Sequence, residues 1–117
     1  MGNIPVSKKI VIIDDEEDLC HLMKTFLVDL NYEVFLAHTL TTGMELVGSV
    51  HPDIVFVDNN LPDGLGWDKL EQIKTALPNS RINLMSAYHT HPQSNTYSPN
   101  IGYIEKPLRL HLLKDYL

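Results

Sequence analysis

The chain has 117 residues, enough for one domain with a real core and too few for two. With 44% hydrophobic and 21% charged residues its composition is that of an ordinary globular protein, and a formal net charge of −6 argues against a basic surface that grips nucleic acid by itself. No apolar stretch approaches the roughly 18 residues that suggest a membrane span.

The start, MGNIPVSKK, lacks the apolar segment of a secretory signal, and Val6 stands where a myristoylation motif wants Ser or Thr. Strand and helix signals then alternate. Lys9–Ile13 is a short β-branched run that ends on Asp14 and Asp15. Leu19, Leu22, Met23, Phe26, Leu27 and Leu30 follow at helical spacing. Glu16, Glu17 and Asp18 fall in the first turn of that helix, where negative charge suits its dipole, and Asn31 ends it. Cys20 lies on the same helix; as the single cysteine it cannot close an internal disulfide, so it reads as a small apolar residue in a reducing, cytoplasmic compartment.

Glu33–Ala37 predicts a second strand, and residues 39–50 a second helix with Met44, Val47 and Val50 inward, weakened by Gly43 and stopped by His51 and Pro52. Residues 53–57 predict a third strand that ends on Asp58. Trp67, Leu70, Ile73 and Leu77 mark a third helix ended by Pro78 and Asn79, and residues 81–85 a fourth strand. Residues 88–100, with two prolines and many small polar side chains, carry no helical stripe and predict a loop. Tyr103 and Ile104 predict a short fifth strand, and residues 108–117 a final helix whose leucines continue a surface or meet a partner.

Strands alternating with helices of this length imply right-handed βαβ units, and so an α/β fold with a doubly wound, five-stranded parallel sheet covered by helices on both faces. Ligands in that architecture bind beyond the carboxyl ends of the strands. Asp14, Asp15 and Asp58 all sit at that edge. Three ionised carboxylates within a few Å would repel pairwise by roughly 4 kcal/mol at an effective dielectric near 20, a cost that a divalent cation removes. Hard oxygen ligands in small number favour Mg²⁺, which keeps several waters and accepts phosphate oxygens. After Asp58 the run Asn59, Asn60, Leu61, Pro62, Asp63, Gly64 makes a tight turn able to aim a backbone carbonyl at a metal. Ser86 ends the fourth strand before the small Ala87, and Lys106 ends the fifth before Pro107. A hydroxyl and an ammonium converging on one carboxylate suit a site that holds phosphoryl oxygens.

The Asp14, Asp15 pair, Asp58 before NNLP, Ser86 with Ala87, Tyr103, and Lys106 with Pro107 together resemble the receiver domain of two-component response regulators, along essentially the whole chain, residues 1–117. The resemblance implies a flavodoxin-like strand order 2-1-3-4-5. It implies that Asp58 accepts a phosphoryl group from a sensor histidine kinase, a phosphotransfer protein or a small phosphodonor. Asp15, Asp58 and the main-chain carbonyl of Asn60 would ligate Mg²⁺, with Asp14 acting through water. Ser86 and Lys106 would bind phosphoryl oxygens, Tyr103 would turn inward when Ser86 moves, and the Lys106–Pro107 bond would be cis. Such a protein catalyses its own phosphorylation and dephosphorylation and turns over no external substrate.

Two features depart from the family pattern. Residues 88–100 occupy the place of a fourth helix, expected here to be short or irregular, and Tyr88 borders the pocket, where it would restrict attacking water. Output would pass to a separate partner or to a missing effector domain. The alternative is a receiver-like interaction module that is never phosphorylated in the cell. A phosphohydrolase of the haloacid dehalogenase type would want a second acid two residues after its nucleophile, where Asn60 stands. His89 and His91 lack nearby cysteines, and a zinc site is set aside.

Overall fold

The computed structural model describes residues 7–87 and 99–117. The expectations for Val6, Tyr88, His89 and His91, and for all of the 88–100 segment except Pro99 and Asn100, lie outside the described residues. In chain order the elements are β1 (Lys9–Ile13), α1 (Glu17–Asp29), β2 (Glu33–Ala37), α2 (Leu40–Val50), β3 (Ile54–Asp58), β4 (Asn60–Leu61), β5 (Gly64–Leu65), a 3₁₀ turn (Gly66–Lys69), α3 (Leu70–Ala76), β6 (Arg81–Ser86), β7 (Ile101–Glu105) and a 3₁₀ segment (Leu110–Tyr116).

Five strands form a parallel sheet in the order β2-β1-β3-β6-β7; counted in chain order among themselves, that is 2-1-3-4-5. The pleat sends alternate residues to opposite faces. Ile10 and Ile12 of β1 pack with Met23 and Leu27 of α1 and with Leu113 of the C-terminal 3₁₀ segment. Val11 and Ile13 pack on the other face with Val47 of α2 and with Leu70 and Ile73 of α3. Because both faces are covered, β3 is buried along its whole length, which is why strands β1 and β3 read as unbroken apolar runs.

Local chemistry sets the ends of the helices. Asn31 adopts φ 71° just past α1, while Asn31 N–H donates to the Val28 carbonyl at 2.9 Å and Tyr32 N–H to the Leu27 carbonyl at 3.1 Å. That pair of bonds around a left-handed residue is the Schellman closure, and asparagine tolerates the conformation. Thr39 caps α2, its hydroxyl accepting from Thr42 N–H at 3.2 Å. Gly43 is a packing residue: a Cβ there would meet the Ile13 side chain at 2.6 Å, so α2 can lie close on β1 only without one.

Four expectations are corrected. Leu22 of α1 is 57% exposed, because it lies beyond the face that the sheet covers, and Cys20 takes an inward place instead. The third helix begins as a 3₁₀ turn and becomes α-helical only at Leu70. β7 runs five residues, since its length is set by pairing with β6 and not by its own apolar content. The last segment is 3₁₀, not α-helical: Leu110, Leu113 and Tyr116, spaced by three, fall in one row along a helix of three residues per turn. No helix among the described residues is long and apolar enough to cross a membrane.

Candidate functional site

The parallel register of β1 and β3, with Ile13 opposite Val57, brings the next residues of both strands, Asp14 and Asp58, to the same carboxyl-terminal rim. Asp14 is fully buried, and its backbone N–H donates to the Ala37 carbonyl at 2.9 Å. Asp58 is 3% exposed and Asp15 is exposed to solvent. Carboxylate oxygens of Asp14, Asp15 and Asp58 all lie within 4.8 Å of one another.

Lys106 completes the cluster from the far end of the sheet. β7 pairs with β6 so that Glu105 stands opposite Ser86, and Lys106 N–H then donates to the Ser86 carbonyl at 2.8 Å. The Lys106–Pro107 bond is cis. The ammonium lies 2.8 Å from Asp14 Oδ2, 2.9 Å from Glu16 Oε1 and 3.2 Å from Asp58 Oδ1. Burial alone would pull this lysine down, but hydrogen bonds to Asp14 and Glu16 and the charges of Asp14 and Asp58 hold it above the usual lysine range. Asp58 is pushed up to about 6, by burial first and the Asp14 charge second, against the opposing pull of Lys106 and of the Asn60 backbone.

Asp14 is oriented from several sides. Its Oδ1 accepts from Glu16 N–H at 2.9 Å, and its carbonyl oxygen meets His38 Nδ1 at 2.9 Å and accepts from the Cys20 thiol at 3.3 Å. Asp14 Oδ2 is buried, with the Lys106 ammonium 2.8 Å away. Three carboxylates, those of Asp14, Glu16 and Asp58, thus share one ammonium, and Asp15 adds a fourth negative charge beside them. A hard cation with oxygen ligands fits this excess of negative charge.

Of the remaining expected residues, Asn60 and Ser86 follow the site strands and Tyr103 does not join them. Asn60 begins the two-residue hairpin β4–β5 directly after β3. Ser86 is buried at the end of β6, one residue beyond Met85, which pairs with Asp58. Tyr103 lies apart from the acids on the α3 face, its ring edge-on to Trp67 with centroids 6.4 Å apart and its carbonyl accepting from the Tyr116 hydroxyl at 2.9 Å.

Three contributors were not foreseen from the sequence. Glu16, whose sequence position suits the helix dipole, also reaches Lys106 with its side chain. Asn59 accepts from Trp67 N–H through Oδ1 at 3.2 Å and from Gly66 N–H through its carbonyl at 3.0 Å, which folds the hairpin back under Asp58. Gly66 itself leaves no room for a side chain against the Asp58 backbone; two glycines within three residues were the available signal.

Residues 10–117 match the family model of the response regulator receiver domain. The sensory transduction protein BceR of Bacillus subtilis (strain 168) is 29% identical over 110 residues, which cover 90% of this chain and 46% of that protein. The chemotaxis protein CheY of Thermotoga maritima is 32% identical over 85 residues, covering 70% of this chain and 69% of that protein. A CheY-like response regulator receiver domain protein from Methanospirillum hungatei JF-1 superposes with a TM-score of 0.84 at 25% identity, over 94% of this chain and 90% of that one. The chain spans under half the length of the Bacillus relative.

Proposed function

We propose a phosphoryl-acceptor switch from one premise: the chain belongs to the response regulator receiver family of two-component systems. In this reading residues 1–117 form the receiver unit, Asp58 is the acceptor, and the donor is a sensor histidine kinase or phosphotransfer protein in the cytoplasm. One observation carries it: the oxygens of Asp14, Asp15 and Asp58 converge within 4.8 Å, and Lys106 stands 3.2 Å from Asp58 Oδ1.

The chemistry follows from the charges. A carboxylate is a poor nucleophile toward an anion, so rate comes from positioning and charge neutralisation. Mg²⁺ held by Asp15, Asp58 and the Asn60 carbonyl, with Asp14 acting through water, would supply the positive charge that draws phosphoryl oxygens into an acidic pocket. Asp58 Oδ attacks phosphorus in line. The new O–P bond forms as the donor's P–N or P–O bond breaks, and the leaving nitrogen or oxygen keeps the electron pair and takes a proton from solvent. Lys106 holds one phosphoryl oxygen and Ser86 donates to another. The Ser86 bond to the phosphoryl group biases the loop after β6, and Tyr103 follows; a ligand shifts such a balance only by its differential affinity for the two states.

Incubation with acetyl phosphate and Mg²⁺ should add one phosphoryl group by mass, and Asp58→Asn should abolish the addition. Undiminished labelling of that variant places the acceptor elsewhere. A wild-type chain that neither small donors nor kinases label is an interaction module instead.

A further inference from the structure

We propose that Glu16 is a placeholder for the phosphoryl group: its carboxylate occupies the Lys106 donor that an incoming phosphoryl oxygen must take. The inference rests on the acceptor reading above and adds a residue that sets how readily the site takes an anion.

An ammonium has three N–H donors, and Lys106 faces three carboxylate oxygens, from Asp14, Glu16 and Asp58, at 2.8, 2.9 and 3.2 Å. Nothing is left over for a fourth acceptor. Asp14 is fully buried and tied through Oδ1 to Glu16 N–H, so it cannot swing away, and Asp58 is the acceptor itself. Glu16 differs from both: its side chain is 57% exposed and can turn into water at little cost.

The backbone supports a dedicated role. Glu16 stands at the N-cap of α1, where Ser, Thr, Asp or Asn would normally accept from the first helical N–H groups, yet its side chain makes no cap bond. It reaches instead to a lysine 90 residues away. With Leu19, Ala87, Lys106 and Leu108 it lines an open groove, and because Glu16 is the more exposed of the two charged groups an anion arriving there meets its carboxylate beside the lysine. The carboxylate therefore opposes phosphoryl oxygens twice, by holding their donor and by like charge, while it adds to the negative field that attracts Mg²⁺. A side chain that merely braced the lysine would help both ligands.

The test uses the full chain as wild type, Glu16→Gln and Glu16→Ala, with Mg²⁺ alone and then beryllofluoride, a trifluoride mimic of the phosphoryl group, at saturating Mg²⁺, both by calorimetric titration. Both variants keep the backbone N–H that orients Asp14. The placeholder predicts effects of opposite sign: Mg²⁺ binds about two- to threefold weaker, and beryllofluoride about three- to fivefold tighter, the scale of one part-exposed ion pair. Acetyl phosphate should label the variants faster at saturating Mg²⁺. Unchanged or weaker beryllofluoride binding by a folded Glu16→Gln overturns the proposal and leaves Glu16 as a brace for Lys106. Failure of the wild type itself to bind beryllofluoride would instead sink the acceptor reading, so the two failures are distinguishable.

Discussion

A Cβ on Gly66 would overlap the carbonyl oxygen of Asp58 and press within 2.8 Å of the Val57 side chain. The 3₁₀ turn that opens with Gly66 is thus laid directly against the end of β3, and the backbone carrying Asp58 has no space in which to yield. Gly66→Ala should cost about 1–3 kcal/mol, the usual range for overpacking a close-fitted site. A urea melt gives the stability and a Mg²⁺ titration the position of Asp58, and both should worsen together. An unchanged urea midpoint would mean that the hairpin shifts freely.

Asp58 contributes to a pH dependence of opposite sign to the usual carboxylate. Its native pKa, about 6, lies above the ordinary 3.8, so between those values the native state holds the proton more tightly than the unfolded one. Stability from this group is therefore present below about pH 4 and is lost as pH rises through 6. Asp58→Asn should stabilise the metal-free protein at pH 7, by about 1–3 kcal/mol, and by less at pH 5. Saturating Mg²⁺ should narrow the gap, because binding stabilises the wild type preferentially. Urea midpoints in chelator and in Mg²⁺ at the two pH values provide the check.

Asp63 secures the start of α2 from 22 and 23 residues away. Its carboxylate accepts from Leu40 N–H at 2.7 Å, Thr41 N–H at 2.9 Å and the Thr41 hydroxyl at 2.8 Å, and these bonds lower its pKa from 3.8 to about 2. A depressed carboxylate contributes stability above its unfolded pKa and loses it as pH falls toward 2. Asp63→Ala should lower the thermal midpoint at pH 7, and the difference from wild type should shrink as pH drops below 4. A gap that stays constant down to pH 3 would argue against the capping bonds as its source.

Cys20 is buried on α1 and donates its thiol proton to the Asp14 carbonyl. Burial first, and then the Asp14 charge, push it up to about 12. The thiolate is the reactive form, so at pH 8 a thiol-disulfide reagent should modify the folded chain far more slowly than the urea-unfolded one. Cys20→Ser, which keeps a donor to Asp14, should leave Mg²⁺ affinity within about twofold, since the bond it preserves is one of several that orient that residue. Rapid labelling under native conditions would show that α1 opens locally.

Much of the fold was legible because its signals are local. Buried parallel strands need continuous apolar runs, and Lys9–Ile13 and Ile54–Asp58 supply them, each with its acid at the exit. Asn31 and His51, both at positive φ, mark helix ends for a reason contained in the residues themselves. The exposure of Leu22, the 3₁₀ form of Leu110–Tyr116 and the length of β7 are not local in this sense, because each depends on what the element packs against. Gly43 and Gly66 weakened local propensity in the sequence, and only their neighbours, Ile13 and Asp58, explain them.

The sequence by itself determined the alternation of elements and the presence of acids, a serine and a lysine at strand ends, since chain periodicity and turn chemistry act over a few residues. Tertiary structure alone decided which of those ends meet. Strand order places β1 and β3 side by side, register levels Asp14 with Asp58, and the last strand carries Lys106 across to Glu16, 90 residues upstream. A lone carboxylate or ammonium has an ordinary affinity for protons. Burial and opposed charge shift it only when distant parts of the chain are packed together, and no spacing in the sequence encodes that distance.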